Sequence, residues 1–395
     1  MKILYLSYFS SPKIFEKICE ANLDPSVARQ KFDLMLLENL LSNEILPSSD
    51  VEIVSYLPYN EKLGEVESTD EFLDKKINYV WAKRSGIFSI LKAMKSVKKL
   101  VNDWLKRTEG EERIILTYAA NPILLAPVIK YRKKVKFVTV CSEIPKYRNM
   151  TEGNKIVNAI KKKVFSYYNE KMSGYVFMSR HMNEACNEKG APYIVVEGMT
   201  QIPPLSSIIK EDGERIFYAG GLHEENGISH LLDAIVSLNK YREKKVDLIL
   251  CGQGNVQEKV KEYSNKHKFI KFLGSLPNDQ IIELEKNATL LVNPRKPDFV
   301  LTKYSFPSKV FEYFASGTAC ALTKLEGIPE EFFDYCYKIN VDSNEQLASD
   351  IGKILEIPSE ERDKKAKEAY EFLAKEKSAK AQTEKIYNFL QSLIG

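Results

Sequence analysis

The 395-residue sequence lacks the features of membrane-spanning and metal-stabilised proteins. It has no apolar run of about 18 residues, the length that a transmembrane helix requires. Its six cysteines are scattered and form no CxxC pair, which argues against a zinc site and is typical of a reducing compartment. No Asp-x-Asp metal motif occurs. We therefore expect a globular protein that binds no metal.

The N-terminal stretch MKILYLSYFSS is a poor match to a signal peptide. It has one lysine and a short apolar run, whereas a signal peptide has a longer apolar region and a cleavage site. This stretch is more typical of a first buried strand. We expect a cytoplasmic protein.

Positive charge is concentrated in the first half of the chain. Residues 1–200 hold 31 Lys and Arg against 24 Asp and Glu, and the remaining residues hold 27 against 30. Segment 83–107 alone has eight basic residues and one acid, and its apolar residues recur at three- and four-residue spacing. This pattern predicts a basic amphipathic helix.

Two interpretations of segment 83–107 remain open. It is either a surface helix whose lysine stems cover apolar surface, or a helix that docks on an anionic membrane from its inner face. Nucleic acid is not an expected partner, because charge alone supplies no sequence readout.

Strand and helix patterns alternate along the chain and restart once. Strands such as IILTY and KFVTV are nearly continuous apolar runs, which indicates parallel strands buried on both faces. A stretch rich in Pro, Ser and charge at 198–214 separates the two series. The sequence therefore predicts two Rossmann-like, doubly wound α/β domains, 1–200 and 201–375, facing across a cleft. Residues 376–395 are expected to form a last helix that crosses back to the first domain.

Two strands of the second series run into glycine turns. RIFYAGG ends in Gly220 and Gly221, and KVDLILCGQGN contains Gly252 and Gly254. Glycine lets the backbone approach a ligand closely, as in nucleotide-binding folds. The same residues also suit plain strand-to-helix turns, and the sequence does not separate the two interpretations.

The segment FPSKVFEYFASG (306–317) predicts a short helix over 307–316. Pro307 suits the first turn, Ser305 or Ser308 can cap it, and Gly317 is a natural stop.

The beginning of this helix has the chemistry of an anion site. Its free N–H groups and the helix dipole favour a phosphate, and Lys309 adds a point charge. One turn further on, Glu312 shares a face with Ser308 and can accept hydrogen bonds from a sugar diol. The alternative is that Lys309 and Glu312 are solvated surface charges.

The segment resembles the GT-B glycosyltransferases, specifically the retaining, family 4-like group (group 1) that includes many bacterial polysaccharide sugar transferases. The residues that carry the resemblance are Glu312, Ala315 and Gly317, followed by GIPEEF (327–332). The likeness extends across much of 215–345, including FLGSLPNDQIIELEKNATLLVNPR, where Leu276 is a candidate donor contact.

The resemblance implies a metal-independent transferase that moves a sugar from a nucleotide diphosphate sugar to a glycan or lipid-linked acceptor, with no cofactor. The second domain would bind the donor, with Ser308 at its phosphates and Glu312 on its ribose. The cations that usually hold the diphosphate are replaced here by Gly221 and Asn226. We expect Lys309 and Arg295 to take over that role.

Tyr304 stands where the family often has a first acidic residue. In the first domain, which would bind the acceptor, Glu143 is the candidate catalytic or positioning group, with Arg148 nearby. Two rival functions stay open, namely a catalytically silent relative that binds sugars or partners, and a nucleotide-sugar epimerase or phosphorylase.

Overall fold

The computed structural model describes residues 1–394 apart from 22, 24, 25, 43, 46, 48, 49, 84, 85, 143, 145–154, 206–212 and 241. The chain divides into two compact units, Met1–Met199 with Ala379–Gly395, and Thr200–Ser378. Each unit is built on one mainly parallel sheet with helices between its strands, which confirms the predicted α/β class with two parallel-sheet units.

The first unit contains an eight-stranded sheet in the order β3-β4-β2-β1-β5-β6-β7-β8. Its strands are β1 (Lys2–Ser7), β2 (Val51–Tyr59), β3 (Thr69–Phe72), β4 (Lys75–Lys83), β5 (Arg113–Tyr118), β6 (Lys136–Cys141), β7 (Gly174–Phe177) and β8 (Tyr193–Val195). Its helices are α1 (Pro12–Glu20), α2 (Val27–Leu41), α3 (Ile87–Arg107), α4 (Pro122–Leu125), α5 (Lys155–Asn169) and α6 (His181–Cys186).

The pair β3–β4 is the antiparallel exception in this sheet, and the sequence did not predict it. Its turn uses Leu73 and Asp74 at positive φ instead of the usual Asn-Gly pair. The edge strand TDEF buries only Phe72, so its pattern is that of a charged loop.

The second unit contains a six-stranded, wholly parallel sheet in the order β11-β10-β9-β12-β13-β14. Its strands are β9 (Arg215–Ala219), β10 (Asp247–Cys251), β11 (Ile270–Phe272), β12 (Leu290–Asn293), β13 (Cys320–Thr323) and β14 (Tyr337–Ile339). Its helices are α7 (Ile228–Asn239), α8 (Gln257–Lys266), α9 (Asn278–Asn287), α10 (Lys309–Ser316), α11 (Asn344–Glu356) and α12 (Ser359–Phe372).

Both faces of this second sheet are buried. Along β9, Ile216 belongs to the core on one face and Phe217 to the core on the other. This explains the continuous apolar strands of the sequence, because alternate side chains enter two separate cores.

The last helix, α13 (Ala379–Ser392), packs in the first unit against α2 and β8. The Nζ atom of Lys385 donates to the carbonyl oxygen of Val195 at 2.8 Å. A Cβ at Gly174 would lie 2.9 Å from the side chains of both Phe389 and Leu393, so the strand has no room for a side chain there. Glycine at this position is what allows the helix to lie close to β7.

Candidate functional site

The carboxyl ends of three neighbouring strands of the second unit bring the predicted glycine turns together. The strands β10, β9 and β12 are parallel neighbours, so the residues that follow them share one edge of the sheet. The N–H of Gly220 donates to the carbonyl oxygen of Cys251 at 2.9 Å. A Cβ at Gly252 would lie only 1.8 Å from the carbonyl oxygen of Gly220, and one at Gly254 only 2.1 Å from that of Leu222. The two turns can therefore contact each other only because positions 252 and 254 are glycine.

Helix α10 begins beside this edge, and its end is as predicted, because Gly317 has the left-handed φ of 70° that favours glycine. Its beginning differs from the prediction. Ser308 occupies the cap position and is exposed, but its side chain makes no capping hydrogen bond. The predicted cap by Ser308 is therefore wrong.

The anion site at the beginning of α10 is smaller than a full helix turn. The N–H of Val310 already donates to Pro307 at 3.0 Å, and that of Phe311 donates to Ser308 at 3.0 Å. At this end of α10, the N–H groups of Ser308 and Lys309 have no hydrogen-bond partner among the described residues. Two N–H groups and one ammonium are the donors that this end of the helix offers.

The side chain of Lys309 turns towards the glycine edge and not towards Glu312. A Cβ at Gly220 would lie 2.3 Å from its Nζ atom, and this atom is 5.4 Å from the centroid of the Tyr218 ring. No carboxylate among the described residues pairs directly with the ammonium. Burial lowers the pKa of Lys309, although the nearby charges of Glu312 and Glu285 act in the opposite direction. The result is a half-buried cation without a direct counter-ion.

Arg295, just beyond β12, is the second cation near this edge. Its Nε atom is buried and has no hydrogen-bond partner among the described residues. Burial lowers its pKa, and Tyr218 is its strongest electrostatic neighbour. Lys296 is less available, because its Nζ atom forms an ion pair with Glu224 at 3.2 Å. Arg295 and Lys309 therefore both lie near Tyr218.

The two positions where the family often has cations serve a structural purpose here. The side chain of Asn226 donates to the carbonyl oxygen of Gly221 at 2.8 Å, and the Tyr218 hydroxyl donates to the same oxygen at 3.0 Å. These hydrogen bonds fix the turn after β9. Asn226 thus stabilises the turn over which Lys309 lies.

Glu312 is exposed on α10, one turn after Lys309. Its charge acts on Lys309 and on Glu285, a residue that the sequence analysis did not select. Glu285 lies in the last turn of α9 and is 2% exposed, with a buried Oε1 atom that has no partner among the described residues. Burial first, and then the charge of Glu312, raise its pKa to about 8. The stretch ELEKN gave no signal of this, because it has the composition of a solvated helix end.

Leu276 is the remaining candidate donor contact among the described residues. Leu276 is partly buried against the core on the α10 side of the second sheet. Glu143 and Arg148 lie outside the described residues.

Comparisons with solved structures define the class of fold. The crystal structure of Anabaena Alr3699/HepE in complex with UDP is 15% identical, with a TM-score of 0.63, and the alignment covers 99% of this chain and 100% of that chain. The apo form of the lipopolysaccharide outer core galactosyltransferase WaaB is 14% identical, with a TM-score of 0.63 and 99% of both chains covered. The trehalose-6-phosphate synthase OtsA is 10% identical, with a TM-score of 0.65 and 99% of both chains covered. The chain therefore has the fold of GT-B glycosyltransferases.

The family match is more specific than the fold. Residues 205–391, which include most of the second unit and the final helix, match the family model described as glycosyl transferases group 1. This agrees with the resemblance carried by Glu312, Ala315 and Gly317. No curated protein is similar enough to count as a match.

Proposed function

We propose that this protein is a metal-independent, retaining glycosyltransferase of the family 4 type. It would move a sugar from a nucleotide diphosphate sugar, with UDP as the first nucleotide to test, to a glycan or lipid-linked acceptor in cell-surface polysaccharide synthesis. The observation that carries the proposal is the Lys309 ammonium over Gly220, at the glycine edge and without a direct counter-ion. UDP is chosen because Anabaena HepE was solved with UDP, and a trehalose-6-phosphate protein from E. coli with UDP-2-fluoro glucose.

The proposed mechanism depends on charge that develops on the leaving diphosphate. Lys309 and Arg295 supply the positive charge, and the N–H groups of Ser308 and Lys309 supply hydrogen bonds to phosphate oxygens. Because these donors are fixed before the reaction begins, they stabilise the transition state without reorganising. Glycine at 252 lets the two turns contact each other, and glycine at 220 leaves room for the Lys309 ammonium. Glu143 stays a prediction for the acceptor side.

Glu312 is the proposed partner of the ribose diol, and a ligand-binding experiment tests this role. We expect one nucleotide diphosphate sugar from a panel to raise the melting temperature of the protein. At a ligand concentration of a hundred times the dissociation constant, the ligand should raise the free energy of unfolding by about 2.7 kcal/mol. In Glu312→Ala the gain is expected to shrink by about 2 kcal/mol, because two charge-assisted hydrogen bonds are lost. Differential scanning fluorimetry provides the measurement.

The matched control is Glu356→Ala, which removes an exposed glutamate at the end of α11. It should keep the full ligand-induced gain. Equal gains in Glu312→Ala and Glu356→Ala would exclude the ribose role.

A catalytically silent sugar-binding protein is the second candidate. It is favoured by the structural use of Gly221 and Asn226, which leaves the donor site with fewer cations than the family pattern. The two candidates are separated by measuring whether the protein turns over the nucleotide diphosphate sugar that it binds. Release of free nucleotide in the presence of an acceptor extract would support the transferase, and binding without turnover would support the silent relative. An epimerase would release a changed sugar nucleotide and no free nucleotide.

An anionic membrane is the proposed location of the acceptor, and α3 is the proposed contact. Its buried face consists of Ala93, Val97, Val101 and Trp104. Its first turn exposes Ile87 and Phe88 to 63% and 84%, beside the exposed lysines of its next turns. Exposed aromatic and aliphatic side chains beside lysines are typical of helices that lie in the interface of an anionic bilayer. Among the described residues, no helix has the length and apolarity to cross a membrane.

Helix α5 adds a second apolar stripe that fits the same contact. Ile160, Val164 and Tyr167 are exposed at helical spacing, and the Lys171 ammonium lies 4.5 Å from the Tyr167 ring. The connections β4–α3–β5 and β6–α5–β7 run in the same direction across the sheet. Right-handed crossovers therefore place both helices on one face, and α4 contacts both of them.

Vesicle sedimentation tests the membrane contact. We expect the protein to bind vesicles that contain about a third anionic lipid, and binding to weaken as salt is added. The double variant Ile87→Ser with Phe88→Ser should bind at least about tenfold more weakly, because two apolar side chains no longer enter the bilayer. Phe299→Ser is the control, because Phe299 is an exposed aromatic residue of the second unit. Binding that does not depend on anionic lipid, or that survives the double substitution, would contradict this proposal.

A further inference from the structure

Among the described residues, Glu285 is the one carboxylate near Lys309 that is almost completely buried. Its side chain is 2% exposed, whereas that of Glu312 is in contact with solvent. The Oε1 atom of Glu285 has no hydrogen-bond partner among the described residues. A buried carboxylate without a partner is costly, so its presence requires an explanation.

The surroundings of Glu285 connect it to the cation of the proposed donor site. Helix α9, which carries it, packs against α10 and β9. The ionisable side chains of these two elements are Lys309, Glu312 and Tyr313 on α10, and Arg215 and Tyr218 on β9. Lys309, Glu312 and Tyr313 interact electrostatically with Glu285. Only the interaction with Lys309 is attractive.

We propose that Glu285 is a positioning residue that controls how much of the Lys309 charge is available to an anionic ligand. When Glu285 is neutral, the ammonium has no direct counter-ion and can bind a diphosphate. When Glu285 is ionised, its carboxylate attracts the ammonium and repels the diphosphate. This inference rests on the proposed function, because it takes the ligand of Lys309 to be a nucleotide diphosphate.

The direction of the pH dependence follows from the burial of Glu285. Burial raises its pKa to about 8, so it is mostly protonated at pH 7 and mostly ionised above pH 9. Diphosphate binding is therefore expected to be strong at neutral pH and to weaken as the pH rises through 8. A glutamine at this position stays neutral at every pH and has nearly the same shape.

The experiment measures the dissociation constant of UDP by calorimetry between pH 6.5 and about 9, for the full-length protein and for Glu285→Gln. The wild-type affinity should fall about fivefold across this range, and that of Glu285→Gln less than about twofold. The titration of UDP itself is common to both proteins and cancels in the ratio of their constants. Loss of the Lys309 proton would weaken binding in both proteins, and more in Glu285→Gln, so it cannot produce the expected difference. Parallel pH profiles would overturn the proposal.

A second measurement needs no ligand and separates this proposal from the proposed function. The melting temperatures of wild type and Glu285→Gln are compared from pH 5.5 to about 9.5. Because the pKa of Glu285 is raised in the folded state, the stability of the wild type relative to Glu285→Gln should fall as the pH rises and level off above about pH 8. The comparison is repeated with Lys309→Met in both proteins. Removal of the ammonium should move the pH at which the difference levels off to a higher value. If UDP binds at no pH but this levelling point moves, the nucleotide assignment fails and the coupling stands. A levelling point that Lys309→Met leaves unchanged would overturn the proposal.

Discussion

Lys309→Met is expected to lower kcat/KM for the sugar donor by about 10²–10³-fold, the cost of removing one preorganised group that stabilises transition-state charge. Methionine keeps an unbranched side chain that can still cover Gly220 and the Tyr218 ring. The loss can therefore be assigned to the ammonium and not to packing. Most of it should appear in kcat, because the charge on the leaving diphosphate increases in the transition state.

The matched control is Lys353→Ala, which removes an exposed lysine from α11. It should leave kcat and KM unchanged. The melting temperature of Lys309→Met should stay close to that of the wild type, because the ammonium has no direct counter-ion among the described residues. A variant that folds normally and retains more than about a tenth of the activity would show that Lys309 is not the main cation for the diphosphate.

The sequence predicted the elements of the proposed donor site better than its internal contacts. Helix α10 could be predicted because its end is local, with the glycine stop at Gly317 inside the segment. The direction of Lys309 could not be predicted. Spacing alone favours a pair between Lys309 and Glu312, but the space above Gly220 depends on a glycine 89 positions earlier in the sequence.

Glu285 and the β3–β4 hairpin were missed for related reasons. Glu285 is buried only because α10 and β9 cover it, and nothing in its own segment indicates this. The hairpin has a charged edge strand and a turn without glycine, so neither of the usual local signals is present. In both cases the decisive contacts come from residues distant in sequence.

Gly252→Ala is expected to lower the free energy of unfolding by at least about 3 kcal/mol, because two costs act together. Its φ of 131° lies in a region that side chains rarely adopt. A Cβ there would also lie 1.8 Å from the carbonyl oxygen of Gly220, which is a backbone atom and cannot rotate away. The turn after β9 would have to move away from β10. Urea denaturation measures the loss.

Gly274→Ala separates these two costs. Gly274 also has a positive φ, 70°, but a Cβ there would meet nothing within 4 Å. The free energy of unfolding of this variant should fall only by the conformational cost, about 1 kcal/mol. The difference between the two variants is then an upper limit for the cost of the close contact of the two glycine turns, over which Lys309 lies, because alanine adopts φ 131° less readily than φ 70°. If Gly252→Ala costs no more than Gly274→Ala, the turns are free to separate, and the edge proposed for the diphosphate is not the rigid, preorganised site that the mechanism requires.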